Sequence, residues 1–205
     1  MSQQLSKAEQ SRRFAAGYHL AFETKSNKKK WIEIFNLWYS AASGGHLRAQ
    51  FYLATCYDNG YGVQKNVKEA FEWFLKAAKR GHMDSQYNIA LFYRDGEVVK
   101  QDLKTAVHWF KLAALKGDIE ARREMGYCYF HGKGVKINYL KAIYFYRLAA
   151  SKNDQMAIYN LGLCYKTGDG VIYSKRWAKY YFEKAAALGH KAAMVQLKDL
   201  RRLDK

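Results

Sequence analysis

Residues 157–190, AIYNLGLCYKTGDGVIYSKRWAKYYFEKAAALGH, contain the pattern that decides the fold. Apolar residues recur at every fourth position through Leu161 to Tyr165, which places them on one face of a helix. Gly168 then allows the left-handed conformation that commonly ends a helix. Ser174 follows a short loop and can accept hydrogen bonds from the free backbone amides of a second helix. The stretch therefore predicts a helix-turn-helix unit.

This unit recurs along the chain with a period of 36 residues. The step links Ala49, Ser85, Ala121, Ala157 and Ala193; Tyr57, Tyr93, Tyr129 and Tyr165; Gly60, Gly96, Gly132 and Gly168; and Ala70, Ala106, Ala142 and Ala178. Within the second helix of the first clear unit, Ala70, Phe74 and the doublet Ala77-Ala78 form a stripe that we expect to be buried. Such a period is typical of solenoids, in which each helix pair buries its apolar face against its neighbours.

The ends of the predicted helices carry suitable capping residues. The second helices are expected to begin after the N-caps Asn66, Asp102, Asn138 and Ser174. The first helices follow His46, His82, Asp118, Asp154 and His190, so capping also accounts for the recurring histidines. Glycine or asparagine, which tolerate a left-handed conformation, is expected to end the second helices at Gly45, Gly81, Gly117, Asn153 and Gly189.

The chain has no proline and no low-complexity stretch that would divide it. We therefore expect a single solenoid domain over residues 1–205. Its predicted parts are a divergent N-terminal helix pair at 1–46, four clear repeats at 47–82, 83–118, 119–154 and 155–190, and a C-terminal capping helix at 191–205.

The repeated pattern A-x-x-x-L-G-x-x-Y-x-x-G-x-G-V, followed by K-A, an aromatic pair and x-K-A-A, closely resembles the Sel-one-like repeat family, a relative of the tetratricopeptide repeats. Residues 157–190 carry it almost in full, and the resemblance extends over about 47–200. It implies an all-α, right-handed solenoid and an interaction scaffold, because this family serves adaptors, secretion-linked proteins and toxin neutralisers. Val98 stands where a second loop glycine is expected, so that loop should be kinked differently.

In a solenoid of helix pairs, the first helices line the inner wall and the second helices line the outer wall. The non-core positions of the first helices therefore form the candidate partner-binding groove. The candidate binding residues are Phe51, Asp58, Tyr87, Arg94, Asp95, Arg123, Tyr127, Phe130, His131, Tyr159 and Lys166. Aromatic residues and arginine dominate the energetics of protein interfaces, so this set predicts a polypeptide groove. The alternative is that several of these aromatics pack between neighbouring first helices.

Charge is distributed unevenly between the two sets of helices. The second-helix segments, 63–80, 99–116, 135–152 and 171–188, hold 17 basic and 4 acidic residues, whereas the first-helix segments, 47–62, 81–98, 117–134 and 153–170, hold 6 basic and 9 acidic residues. The basic charge is thus expected on the outer, convex face. Such a face can keep the chain soluble or contact an anionic membrane or nucleic acid.

Nucleic-acid recognition favours basic and stacking residues on one surface. Here we expect the aromatics on the slightly acidic inner wall, which argues against a nucleic-acid partner. The leading hypothesis is a protein or peptide partner bound in the groove, by an adaptor or an immunity protein that neutralises a toxin. The alternative is a peripheral membrane or nucleic-acid binder that uses the basic convex face.

The sequence lacks the constellations that enzymes use. Cys128 and His131 form a C-x-x-H pair, but no further Cys or His lies nearby by spacing to complete a metal or nucleophile site. The paired loop glycines are the repeat's own turn and not a phosphate-binding loop. We therefore predict no catalytic residue, no metal and no cofactor.

Cys56, Cys128 and Cys164 stand at one repeat position, 72 and 36 residues apart. Equivalent positions of stacked helices lie roughly 10 Å apart, too far for a disulfide, so three buried free thiols are expected. No apolar run approaches the roughly 20 residues of a membrane span, and the first residues lack the apolar core of a secretory signal. We expect a cytoplasmic protein, unless a dedicated secretion system exports it.

Overall fold

The computed structural model describes the backbone of residues 5–22 and 28–202. These ranges contain only helices and their connections, which confirms the predicted all-α fold class. The helices are α1 (Lys7–Phe22), α2 (Lys28–Ser43), α3 (Leu47–Asn59), α4 (Val67–Lys79), α5 (Met83–Asp95), α6 (Leu103–Lys116), α7 (Ile119–His131), α8 (Tyr139–Ala150), α9 (Gln155–Thr167), α10 (Lys175–Ala187) and α11 (Lys191–Arg202).

The chain forms two compact units, Met1–Gln101 and Asp102–Lys205. In the N-terminal unit, each of α1 to α4 packs against the helix that follows it. In the C-terminal unit, α6 to α11 pack in the same sequential way. Odd-numbered helices up to α9 are called first helices below, and the even-numbered ones second helices.

The predicted caps are confirmed at the second helices. Asn66, Asn138 and Ser174 each accept a hydrogen bond from the backbone amide three residues later, and Asp102 accepts two, from Lys104 and Thr105. Asn153 adopts a φ of 60° at the predicted helix end, as glycine does in the other repeats. The capping residues therefore set the helix boundaries.

The core of each unit depends on an aromatic ring that lies on the backbone of a first helix. Phe182 of α10 is fully buried against Gly162 of α9, where a Cβ would lie 2.6 Å from the ring. Tyr146 covers Gly126 in the same way, at 2.5 Å. At these distances a side chain on Gly126 or Gly162 would overlap the ring. The equivalent positions of the first two clear repeats are Ala54 and Ala90.

The N-terminal pair α1 and α2, which we expected to be divergent, repeats this packing. Trp38 takes the ring position, since it stands 36 residues before Phe74, and a Cβ on Gly17 would lie 2.6 Å from its indole nitrogen. Phe14 stacks on His46 at 4.6 Å, the same pairing that later repeats use. The pair is therefore repeat-like in its core, although its loop lies outside the described residues.

The second loop glycine of a repeat rests against the start of the preceding second helix. A Cβ on Gly62 would collide with the carbonyl group of Trp31, and one on Gly134 with that of Leu103. Both glycines also have a positive φ, of 71° and 73°. Val98 has no positive φ, which confirms that its loop follows a different path, because a side chain cannot make this approach.

The ring-on-glycine packing predicts an unusual response to Gly162→Ala. Replacing glycine by alanine within a helix ordinarily stabilises it by up to about 1 kcal/mol. Here the new methyl group would overpack the site beside Phe182, and we expect a loss of about 1–3 kcal/mol in the free energy of unfolding. Urea denaturation measures the change. Adding Phe182→Leu should relieve the overpacking, so the two substitutions should cost less together than the sum of their separate effects. A stabilised Gly162→Ala variant would contradict the packing.

Candidate functional site: the first-helix faces

Three of the predicted binding residues contact the residue that stands directly before the next odd-numbered helix. Phe51 stacks on His82 with ring centroids 4.7 Å apart, and Tyr159 stacks on His190 at 4.3 Å. Arg123 instead forms a mostly buried ion pair with Asp154, with 2.7 Å between nitrogen and oxygen. Each pair joins positions 31 residues apart. For these side chains, packing between repeats, the alternative stated above, describes the structure better than an open groove.

The contacting side chain in each pair suits the residue that stands before the helix. Where histidine stands at the helix start, an aromatic ring covers it, and where Asp154 stands there, an arginine neutralises it. His46 and His82 accept a backbone hydrogen bond through Nδ1, from Ala49 and Ser85, which confirms their capping role. His190 differs, because its Nδ1 is buried without a hydrogen-bond partner among the described residues. Capping by the side chain therefore does not explain His190.

On the first helices of the N-terminal unit, the predicted charged residues lie near the ends of α3 and α5. The Arg94 guanidinium donates to the neighbouring Asp95 carboxylate through two nitrogens, at 2.7 and 2.9 Å. Asp58 and Tyr87 are half-buried. This unit presents charges of both signs on its first helices. Its predicted binding residues form no aromatic cluster, although the exposed Phe22 ring of α1 contacts Tyr18 at 4.7 Å and Tyr52 at 5.9 Å.

The C-terminal unit brings three of the predicted residues together at the end of α7. The Tyr127 ring is 44% exposed and lies 4.4 Å from the His131 ring. Phe130 contacts His131 at 4.9 Å and Tyr139 at 5.2 Å, and it is half-buried. We call Tyr127, Phe130 and His131 the α7 cluster. Nearby on α9, Lys166 is held by a hydrogen bond from its ammonium group to Gln196 of α11.

The α7 cluster borders a small pocket between α7 and α9. The pocket has a volume of about 80 Å³ and is lined by Phe130, His131, Tyr146, Asn160 and Leu163. This volume suits one compact side chain rather than a drug-sized ligand, whose sites span about 300–1,000 Å³.

Tyr146 and Asn160 supply the polar groups of the pocket. Tyr146 is only 2% exposed, and neither its hydroxyl nor the Asn160 amide makes a hydrogen bond to the described residues. Burial raises the pKa of Tyr146 far above its ordinary value, so the hydroxyl stays protonated and can donate. Because Tyr146 lines the pocket and its hydroxyl makes no hydrogen bond to the described residues, the pocket favours a guest that accepts a hydrogen bond.

Sequence reasoning missed Tyr146 and Asn160 as candidates. The repeat position of Tyr146 is phenylalanine in the other clear repeats, at Phe74, Phe110 and Phe182, so the repeat pattern places it in the core. The added hydroxyl was the available signal, because a core that needs only a ring has no use for it.

Further chemistry is limited in the described ranges. All three cysteines are buried free thiols, as their shared register predicts, and burial raises the pKa of Cys56 and Cys164 to about 12. These two thiols are therefore poor nucleophiles. The described residues include no group of three or more His, Cys, Asp or Glu side chains that could hold a metal ion.

The expectation that the aromatics concentrate on the inner wall is wrong for the C-terminal unit. Exposed aromatic side chains also occur on its second helices and the loops before them: Tyr139, Tyr144, Tyr173, Trp177 and Tyr180. The error arose because adjacent aromatic residues in a second helix face different ways. In α10, Phe182 is buried while Tyr180 is exposed, and the repeat pattern alone does not rank them.

Four segments of the chain, residues 47–82, 84–118, 119–154 and 155–190, match the model of the Sel1 repeat. The chain belongs to the Sel1 repeat family. Sel1 repeats serve as protein-interaction scaffolds, and the family's fold is generally non-enzymatic. None of the helices in the described ranges has both the length and the apolar character needed to cross a bilayer. No curated protein sequence matches the chain.

Solved structures with the same fold include two at 30% identity or more. The first is c5321, a protective antigen present in uropathogenic Escherichia coli strains, with a TM-score of 0.87 and 30% identity. The match covers 94% of this chain but 41% of c5321, so the chain spans about two fifths of that protein. The second is a Sel1 repeat protein from Oxalobacter formigenes, with a TM-score of 0.81, 32% identity, and coverage of 93% and 78%.

An immunity protein, Pa5087 from Pseudomonas aeruginosa, is more distant. Its TM-score is 0.53 at 21% identity, over 90% of this chain and 67% of that one. At 21% identity, this similarity shows a shared fold and nothing more.

The histidines at the helix starts predict a loss of stability in mild acid. Burial, followed by the charges of Arg48 and Arg80, lowers the pKa of His46, and burial lowers the pKa of His190 against the opposing effect of Asp154. The unfolded chain therefore binds protons more tightly at these sites. Their contribution to stability is complete above the unfolded pKa of about 6.5 and is lost as the pH falls through the folded value.

Urea denaturation at about pH 7.5 and about pH 5 measures this loss. The variant His46→Asn with His190→Asn is the control, because asparagine can cap a helix without titrating in this range. It should lose less stability between the two pH values than the wild-type chain does. An equal loss in both proteins would show that these histidines do not cause the pH dependence.

Proposed function

We propose that this chain is a non-enzymatic protein-interaction scaffold that binds a polypeptide on its first-helix side, the predicted groove. The supporting observation is the α7 cluster beside the pocket between α7 and α9. The cluster offers an exposed ring next to a half-buried one, and the pocket offers a depression with polar groups. Interfaces concentrate their binding energy where an anchor side chain enters such a pocket.

The pocket's chemistry defines the anchor that it accepts. Phe130 and Leu163 form apolar walls, the Tyr146 hydroxyl donates, and the Asn160 amide can donate or accept. A compact partner side chain with an acceptor at its tip, such as Asn, Asp or Thr, satisfies these groups. The exposed Tyr127 ring then covers the neighbouring part of the bound polypeptide.

Two biological roles are compatible with such a scaffold. An adaptor joins signalling or secretion components, and an immunity protein neutralises a toxin by gripping it. The likeness to Pa5087 supports the fold of an immunity protein and does not identify a toxin. Neighbouring genes separate the roles, since an adjacent toxin gene favours immunity and adjacent signalling genes favour an adaptor. In both roles we place the protein in the cytoplasm.

The proposal predicts that peptides selected on this protein depend on the α7 cluster. Dodecapeptides are selected from a random phage-displayed library, and the tightest one is synthesised and titrated by calorimetry. Tyr127→Ala with Phe130→Ala should weaken its binding by roughly 30-fold, since a buried anchor contributes about 2 kcal/mol or more. Tyr146→Phe keeps the core ring and removes the hydroxyl, and should weaken binding by about tenfold.

The matched control is Lys141→Glu with Lys152→Glu, which reverses two exposed charges on the second-helix side. This variant should bind the peptide with nearly unchanged affinity and an altered salt dependence, as remote charges do. Thermal melts confirm that each variant folds. If the charge reversal abolishes binding while the α7 variant binds normally, the second-helix face is the binding surface and the proposal is wrong.

A further inference from the structure

The C-terminal unit exposes apolar side chains in the loop before α10 and in the first turns of α8 and α10. Ile172 is 90% exposed, Leu140 73%, Tyr173 60% and Trp177 49%. We call these four residues the loop-side patch. Large exposed apolar side chains are unremarkable singly, but a group of them on one edge marks an interaction surface.

The repeats themselves show that the fold does not require these side chains. The positions equivalent to Ile172 and Trp177 are Gln64 and Glu69 in the first clear repeat, and Lys100 and Thr105 in the second. The positions equivalent to Leu140 and Tyr173 are also polar in both of those repeats: Lys68, Lys104, Lys65 and Gln101. Apolar residues therefore replace polar ones at this edge only in the last two clear repeats.

One close contact brings the loop before α10 against the start of α8. Gly170 packs so closely on the first residue of α8 that a Cβ there would lie 2.6 Å from the Cβ of Tyr139. Ile172 follows Gly170 by two residues, and Leu140 follows Tyr139 directly. Trp177 lies in the first turn of α10, where its amide donates to the Ser174 cap and its ring contacts Tyr165 at 6.1 Å. The loop and the two helix starts thus form one edge.

The surroundings of the patch are basic. Residues 132–152, which include α8 and its preceding loop, hold five Lys and Arg and no Asp or Glu. Lys136 and Arg176 are exposed beside the patch, and neither has a salt bridge within the described part of the chain. This edge combines apolar, aromatic and basic side chains. The basic side chains suit the charged headgroups of an anionic membrane, and the apolar and aromatic side chains suit the acyl chains below them.

We propose that the loop-side patch docks this protein on an anionic lipid surface, with Ile172 and Trp177 inserted among the lipids and Lys136 and Arg176 at the phosphates. Single-stranded nucleic acid is the competing occupant, because it also combines phosphates with stacking. The exposed isoleucine and leucine favour lipid as the occupant. Nucleic-acid bases stack on aromatic rings, whereas aliphatic side chains gain free energy when they move from water into the acyl layer. The proposal is independent of peptide binding on the first-helix side.

The test is co-sedimentation of the full chain with vesicles of phosphatidylcholine containing about 30% phosphatidylserine. The key variant, Ile172→Gln with Trp177→Thr, introduces residues found at these positions in earlier repeats and leaves the net charge unchanged. We expect it to bind at least about tenfold more weakly than the wild-type chain. Lys136→Glu with Arg176→Glu should also weaken binding, and vesicles of phosphatidylcholine alone should bind the wild-type chain poorly.

Two controls separate insertion from general stickiness. Leu115→Gln changes a leucine that is equally apolar and 70% exposed but lies in the last turn of α6, so it should leave binding unchanged. Trp177→Phe should retain binding while the quenching of tryptophan fluorescence by brominated acyl chains decreases. Absence of vesicle binding by the wild-type chain would overturn the proposal. The proposal would also be overturned if the wild-type chain bound single-stranded oligouridine instead of vesicles and this binding depended on Trp177.

Discussion

The structure depends on one kind of contact, an aromatic ring of a second helix packed closely on the backbone of a first helix, at a glycine in three repeats and at the alanines Ala54 and Ala90 in the other two. Trp38 on Gly17, Tyr146 on Gly126 and Phe182 on Gly162 are three instances of this contact. The ring fills the space between two helices that small residues allow to approach, and the alanines around it, such as Ala142 and Ala178, are fully buried. Caps and loop glycines then fix where each helix begins and ends.

This packing divides the first-helix surface between structure and function. One row of positions, which includes Phe51, Arg123 and Tyr159, contacts the residue directly before the next odd-numbered helix. The side chains near the end of α7 are not used in this way, and there the core ring carries a hydroxyl without a partner. Both proposed binding surfaces therefore lie where a repeat departs from its own pattern, at Tyr146 and at Ile172.

Most of the fold could be predicted from the sequence because its causes are local and repeated. The N-caps Asn66 and Asp102 and the buried position of Phe74 follow from spacing and residue chemistry alone. The site was harder to predict, because spacing places Phe51 and Tyr127 on the same side of their helices without showing which is covered. Whether the ring is covered depends on its neighbours: the His82 ring stacks on Phe51, whereas Tyr127 stays exposed. The exposed aromatics of α8 and α10 escaped prediction for the same reason.

We propose that a polypeptide binds beside α7 and α9 with one side chain in the pocket at Tyr146. A crystal structure of the chain bound to the tightest peptide selected from the random library would show whether it does. We expect peptide density along these two helices, in contact with Tyr127, and a side-chain acceptor within hydrogen-bond distance of the Tyr146 hydroxyl. Density over the second helices with the pocket empty would contradict it.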